Sequence, residues 1–190
     1  MHKHLPKIFI FTDQYNNKIF KNINPNIGVI YRNYNAANRD KELAKIVKAC
    51  KRNRNQLFVS NDIKLATKFK TDGIYIPSFN KIQNFQNLEN KTIKILGSAH
   101  NQQEIQRKIF QNCSIIFLSP LFYVKKSKTF LGLHKFNYLS FANNKVKILP
   151  LGGISENNIQ KLKILPVKGF GGIRIFKKKT GLLKAGFYKE

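Results

Sequence analysis

Short runs rich in Ile, Val, Leu and Phe recur along the chain at Ile8–Thr12, Gly28–Arg32, Leu57–Ser60, Gly73–Pro77, Ile93–Ser98, Ile115–Ser119, Val146–Leu151 and Gly172–Phe176. Between them lie stretches with helical spacing of apolar residues, at Asp40–Lys51, Asp62–Lys70, Gln102–Phe110, Lys135–Ala142 and Ser155–Lys163. Strand and helix in alternation predict parallel βα units, and eight strands close most simply into an α/β fold, the (β/α)8 TIM barrel. At 190 residues the chain has about three-quarters of the usual ~250 for that architecture. It is expected to be trimmed at the first connection, where Asp13 to Gly28 is an Asn-rich poor helix, and at the C-terminal helix, for which little chain follows Phe176. An open doubly wound sheet is the alternative, although no G-x-G-x-x-G follows the first strand.

With 42% hydrophobic residues, 190 positions suffice for one sizeable core, so residues 1–190 are read as a single domain. The formal charge of +26, from 35 Lys+Arg against 9 Asp+Glu, gives a general pull toward anionic ligands. Lysines are scattered through nearly every segment alongside many Asn, Ile and Phe. That mixture fits an AT-rich coding sequence as well as selection for polyanions, and nucleic acid is not the expected partner. Cys50 and Cys113 form no disulfide framework or zinc spacing, which points to a reducing cytoplasm. No apolar stretch approaches a membrane span, and self-association stays open.

In a barrel, chemistry belongs at the C-terminal ends of the strands. Gly152 and Gly153 follow the seventh run and precede Ser155, a good helix N-cap, so their backbone N–H groups suit a phosphate. The neighbouring Gly169, Gly171 and Gly172 open the last run, beside them in the closed barrel. Ser98 and His100 lie two apart and share a strand face, and imidazole is the side chain most often used for proton transfer. Ser98 alone is not an activated nucleophile. Asp62, after Asn61, can hold one coordination position of Mg2+ or can cap the following helix. The natural place for a second carboxylate is Asn80. Arg32 and Ser78 stand at the ends of the second and fourth runs, and Lys126 and Lys128 of the YVKKSK loop either clamp a phosphorylated substrate or are solvated charge.

Taken in order, Thr12-Asp13, Ser60-Asn61-Asp62, Gly97-Ser98-Ala99-His100 with Glu104, Leu118-Ser119-Pro120-Leu121-Phe122, Gly132-Leu133 and Leu151-Gly152-Gly153-Ile154 resemble the thiamine phosphate synthase and TenI superfamily of barrels. The resemblance implies that Gly152, Gly153, Phe176 and Lys177 hold the phosphate of a thiazole phosphate. Synthases of that family join a pyrimidine diphosphate to the thiazole phosphate with Mg2+ and release pyrophosphate. Here their Q-L-R-x-K motif reads Ile30-Tyr31-Arg32-Asn33-Tyr34, the second metal aspartate is Asn80, and the threonine of the phosphate loop is Val124. TenI-type members are thiazole tautomerases that need no metal and use a histidine at the end of the fifth strand. The retained His100 and Ile76-Pro77-Ser78 look more like that branch. The expectation is a thiazole-phosphate tautomerase with no required cofactor, His100 serving as acid and base. A divergent Mg2+-dependent synthase using Asp62, Arg32 and a loop lysine, or a non-catalytic basic binding protein, are the alternatives.

Overall fold

The computed structural model describes residues 4–34, 38–82, 93–125, 127–173 and 175–178. Its strands are β1 Ile8–Thr12, β2 Ile27–Tyr31, β3 Leu57–Ser60, β4 Gly73–Ile76, β5 Lys94–Ala99, β6 Ile115–Leu118, β7 Lys147–Pro150 and β8 Phe170–Gly172. They form one sheet in the order β7-β6-β5-β4-β3-β2-β1-β8. Every pairing is parallel, and a bridge between Leu151 and Gly171 joins the two ends. Pairing of β1 with β8 and that closing bridge make the sheet a barrel, not an open doubly wound sheet. The helices are α1 Asn17–Phe20, α2 Arg39–Asn53, α3 Ile63–Lys68, α4 Gln102–Phe110, α5 Gly132–Ala142 and α6 Ile175–Lys178. The four-residue α1 is the expected trim of the first connection. The C-terminal trim beyond Lys178 lies outside the described residues.

Alternate strand positions serve two separate cores. Phe9, Phe11, Ile30, Phe58, Tyr75, Leu96, Ile115, Phe117, Leu149 and Leu151 fill the barrel, while Ile10, Val29, Val59, Ile74, Ile116 and Ile148 pack beneath the helices. Phe9 and Phe11 each meet the Phe117 ring at 5.1 Å, edge to face, across the barrel axis. Those rings fit because glycines stand opposite them. A Cβ on Gly28 would lie 2.5 Å from the Phe9 ring, and one on Gly171 2.8 Å from that of Phe11. The lower barrel is therefore solid, and a ligand can reach only its rim.

Two expectations are corrected. The eighth strand is Phe170–Gly172; of the run Gly172–Phe176 assigned to it only Gly172 lies in the strand, while Ile175 and Phe176 begin the short α6, which also takes in Lys177. Glycine carries no apolar signal, so a strand built around Gly171 and Gly172 reads as a loop. The segment Ser155–Lys163 is not an α-helix capped by Ser155 but a turn followed by a 3₁₀ helix at Ile159–Ile164. There the Asn158 side chain accepts from the Ser155 N–H at 2.8 Å and donates to the Gly153 carbonyl at 2.8 Å, which favours the turn over helix propagation.

Lys108, on the inner side of α4, is fully buried. Its Nζ donates to the Asn80 carbonyl at 3.1 Å and to Gln111 Oε1 at 2.8 Å. Burial pulls its pKa from 10.5 down to about 8. Because the unfolded chain keeps that proton longer, Lys108 makes stability rise as pH climbs from about 8 toward 10.5. Burial pushes the Cys50 and Cys113 thiols from 9.0 up to about 12, which acts oppositely above 9.0. Urea unfolding is expected to show the stability of the wild type rising relative to Lys108→Met between about pH 8 and pH 9. A constant difference across that window would remove Lys108 as its source. Among the described residues no helix is long and apolar enough to cross a membrane.

Candidate active site

The bridge between Leu151 and Gly171 sets the ends of β7 and β8 side by side. A cavity of about 440 Å³ opens there, lined by Gly152, Gly153, Gly171 and Gly172 together with Tyr123, Val124, Ile154, Ser155, Glu156, Asn158, Ile173 and Ile175. Gly152 and Gly153 have φ of +89° and +72°, a conformation that side chains disfavour. Neighbouring backbone holds the turn: Leu121 N–H donates to the Leu151 carbonyl at 2.8 Å and Phe122 N–H to that of Gly152 at 3.1 Å. Among the described residues, the N–H groups of Gly153 and Ile154 donate to no protein acceptor, which leaves two donors at the cavity wall. Both predicted glycines thus meet Gly171 and Gly172 of the second cluster in one place, whereas Gly169 lies against the Lys7 backbone before β8.

His100 follows β5 directly and is exposed. Its backbone N–H donates to Glu104 Oε2 at 2.7 Å, a contact that fastens the residue to the first turn of α4. Its ring Nδ1 lies 2.6 Å from the Ser119 carbonyl oxygen, which can only accept. Nδ1 therefore carries the hydrogen, and the neutral ring keeps its lone pair on Nε2. His100 is not in the cavity wall, but Ser119 links the two: a Cβ on Gly152 would stand 3.7 Å from that of Ser119 and 3.0 Å from Pro120 Cα. Ser98 is buried inside the barrel and bonded to Tyr75, whose phenol is pushed upward by burial. It thus supports the rim from below.

At the ends of β3 and β4 the residues are otherwise committed. Asp62 Oδ1 accepts from the Leu65 N–H at 2.8 Å as N-cap of α3, and its Oδ2 pairs with Arg39 Nη1 at 3.0 Å. Asn61 Oδ1 accepts from Asn80 Nδ2 at 2.5 Å. Among the described residues no group of three or more His, Cys, Asp or Glu side chains could hold a metal ion. One carboxylate with both oxygens engaged does not fit Mg2+, which is held by carboxylate and substrate oxygens. The capping role that the sequence left open for Asp62 is the one seen.

The remaining predicted residues are spread around the rim. Arg32 lies over the Phe11 ring at 5.8 Å, with Nε 3.9 Å from Asp13 Oδ1. Tyr34, in the lysine position of the family motif, accepts a hydrogen bond from Ser60 Oγ at 3.0 Å, and its ring meets Phe79. Ser78 is half-buried in the turn after β4. Lys128 is exposed and absent from the cavity wall, and Lys126 lies outside the described residues. The loop after β6 instead presents Tyr123 and Val124, because the Val124–Ser127 bridge folds it into a tight turn. Phe176 is buried and stacked on Phe170 at 6.1 Å, so Ile173 and Ile175 border the cavity in its stead. Nothing is described of the Lys177 side chain. Sequence reading missed Asn158, the clamp of the glycine turn, although an Asn three residues after Ser155 is the spacing such a clamp requires.

A family model described as thiamine monophosphate synthase matches residues 25–175. The thiamine-phosphate synthase of Prochlorococcus marinus subsp. pastoris is 31% identical over 133 residues, covering 65% of this chain and 36% of that protein. The chain thus spans about a third of the length of that relative. Among solved structures, a thiamine phosphate pyrophosphorylase from Pyrococcus furiosus superposes with a TM-score of 0.71 at 15% identity, over 95% of this chain and 88% of that one. The 2-keto-3-deoxy-6-phosphogluconate aldolase of Zymomonas mobilis gives 0.69 at 12% identity, over 97% and 93%. Likenesses at such identities bear on the barrel alone.

Proposed function

The chain belongs to the thiamine monophosphate synthase family, and from that premise we propose that its rim binds a small phosphorylated thiazole and relocates a proton on it, as a TenI-like tautomerase. The observation that carries the reading is the His100 ring, whose Nδ1–H is held on the Ser119 carbonyl at 2.6 Å. Nε2 is left with the lone pair, and Ser119 joins the ring to a glycine turn with unused amides. The phosphate would sit on the N–H groups of Gly153 and Ile154, favoured by the positive charge of the whole chain. Nε2 then takes a proton from one position of the ring and the imidazolium returns it at another. Atoms and charge balance, and no metal takes part.

Tyr123 and Val124 border the cavity on the loop side and supply apolar surface for a thiazole ring. Titration calorimetry with thiazole phosphate in EDTA is expected to show binding, with accelerated aromatisation of the thiazole phosphate tautomer. Heat only in the presence of the pyrimidine diphosphate and Mg2+, with pyrophosphate released, would replace the tautomerase by the synthase. The curated relative's name favours that second reading. The departures at Tyr34, Asn80 and Val124 weigh against it, since Tyr34 and Val124 replace polar contacts to a diphosphate and Asn80 replaces a carboxylate for its metal.

A further inference from the structure

We propose that Arg39 is the resident cation at the tip of β3, and that Asp62 positions this guanidinium instead of binding a divalent metal. This goes beyond the thiazole reading and does not depend on it. Arg39 Nη1 pairs with Asp62 Oδ2 at 3.0 Å, and Nη2 donates to the Ser60 carbonyl at 2.9 Å. Its Cζ lies 5.8 Å from the centroid of the Tyr31 ring, and its side chain is 18% exposed. A guanidinium held by a carboxylate, a carbonyl and an aromatic face is fixed in one orientation. Asp62 also caps α3 through its other oxygen, so the pair ties the start of α2 to the start of α3.

The neighbouring strand end is likewise committed to protein partners. Asn80 offers an amide where a second carboxylate would be needed, and that amide donates to Asn61 at 2.5 Å. The Asn80 carbonyl accepts from the buried Lys108 Nζ at 3.1 Å. A divalent ion entering here would meet one occupied carboxylate and the Arg39 guanidinium already seated on it. Coulomb repulsion in a half-buried setting, together with the loss of the Arg39 pair, opposes its entry. Anionic oxygens of a ligand approaching the ends of β2 and β3 meet Arg32 and Arg39 in place of a hydrated ion.

The test uses Mn2+ as a paramagnetic stand-in for Mg2+, with no thiazole present, so its failure is distinct from that of the proposed activity. The wild-type protein is expected to leave the EPR signal of free Mn2+ undiminished, and so is Asp62→Asn. The double variant Arg39→Gln/Asn80→Asp frees one carboxylate oxygen and adds a second carboxylate. It is expected to bind Mn2+ roughly tenfold or more tightly than the wild type. Quenching by the wild type that disappears in Asp62→Asn overturns the proposal, whatever the variants' stability. So does a double variant that melts cooperatively with wild-type circular dichroism yet binds no Mn2+.

Discussion

His100→Gln is expected to slow proton relocation on bound thiazole phosphate by ~10²–10⁴-fold, the usual contribution of a positioned general base. Glutamine keeps a donor for the Ser119 carbonyl and most of the volume, but its amide cannot take up and return a proton. Affinity for thiazole phosphate is expected to stay within about threefold, because the imidazole is not in the wall of the glycine cavity. The loss should therefore fall on kcat and leave KM nearly unchanged. Hydrogen–deuterium exchange at the thiazole carbon, followed by NMR, reads the same step without a coupling assay. A variant that exchanges as fast as the wild type strips His100 of its role and leaves the cavity a binding site.

Gly153→Ala is expected to cut phosphate affinity by roughly 10–100-fold, since hydrogen bonds to a charged group contribute about 1.5–3 kcal/mol each. Two effects combine at this position. The φ of +72° is unfavourable for any side chain, at about 1–2 kcal/mol. A Cβ would also fall 2.4 Å from the Phe122 carbonyl oxygen, which is backbone and itself tied into the loop after β6. The turn must move, carrying the Gly153 and Ile154 amides with it. The melting temperature is expected to fall by several degrees, at about 2–4 °C per kcal/mol for a chain of this size. Gly132→Ala is the control: its φ is +71°, yet nothing lies within 4 Å of the added carbon. Equal loss of phosphate binding in both variants would mean that strain alone, and not the turn, explains the effect.

The barrel was legible because seven of its strands are short aliphatic or aromatic runs that alternate with helix-spaced segments. β8 was displaced because its usefulness lies in absent side chains, which leave room for Phe11 and Phe117. The glycine turn could be found from composition and position, whereas the residue that clamps it, Asn158, looked like part of a helix start. His100 was visible as a strand-end histidine, but the carbonyl that sets its tautomer lies 19 residues away, on the next strand end. Asp62 illustrates the limit most sharply. Capping and metal binding use the same atoms, and only the arrival of Arg39 from 23 residues upstream separates them. In the loop after β6, Tyr123 and Val124 line the cavity while Lys128 is exposed, an arrangement that a count of lysines does not reveal.

Seven neighbouring pairs in the cylinder are laced by strand ladders, but among the described residues β7 and β8 meet through one bridge, Leu151 to Gly171. The cavity opens on that seam. On the proposed reading an anion gripped there would act as the missing stitch in the hoop, and occupancy would stiffen the whole girdle as well as fill a hole. Amide protection gained on ligation should accordingly spread along both staves and outlast the few residues that touch the guest.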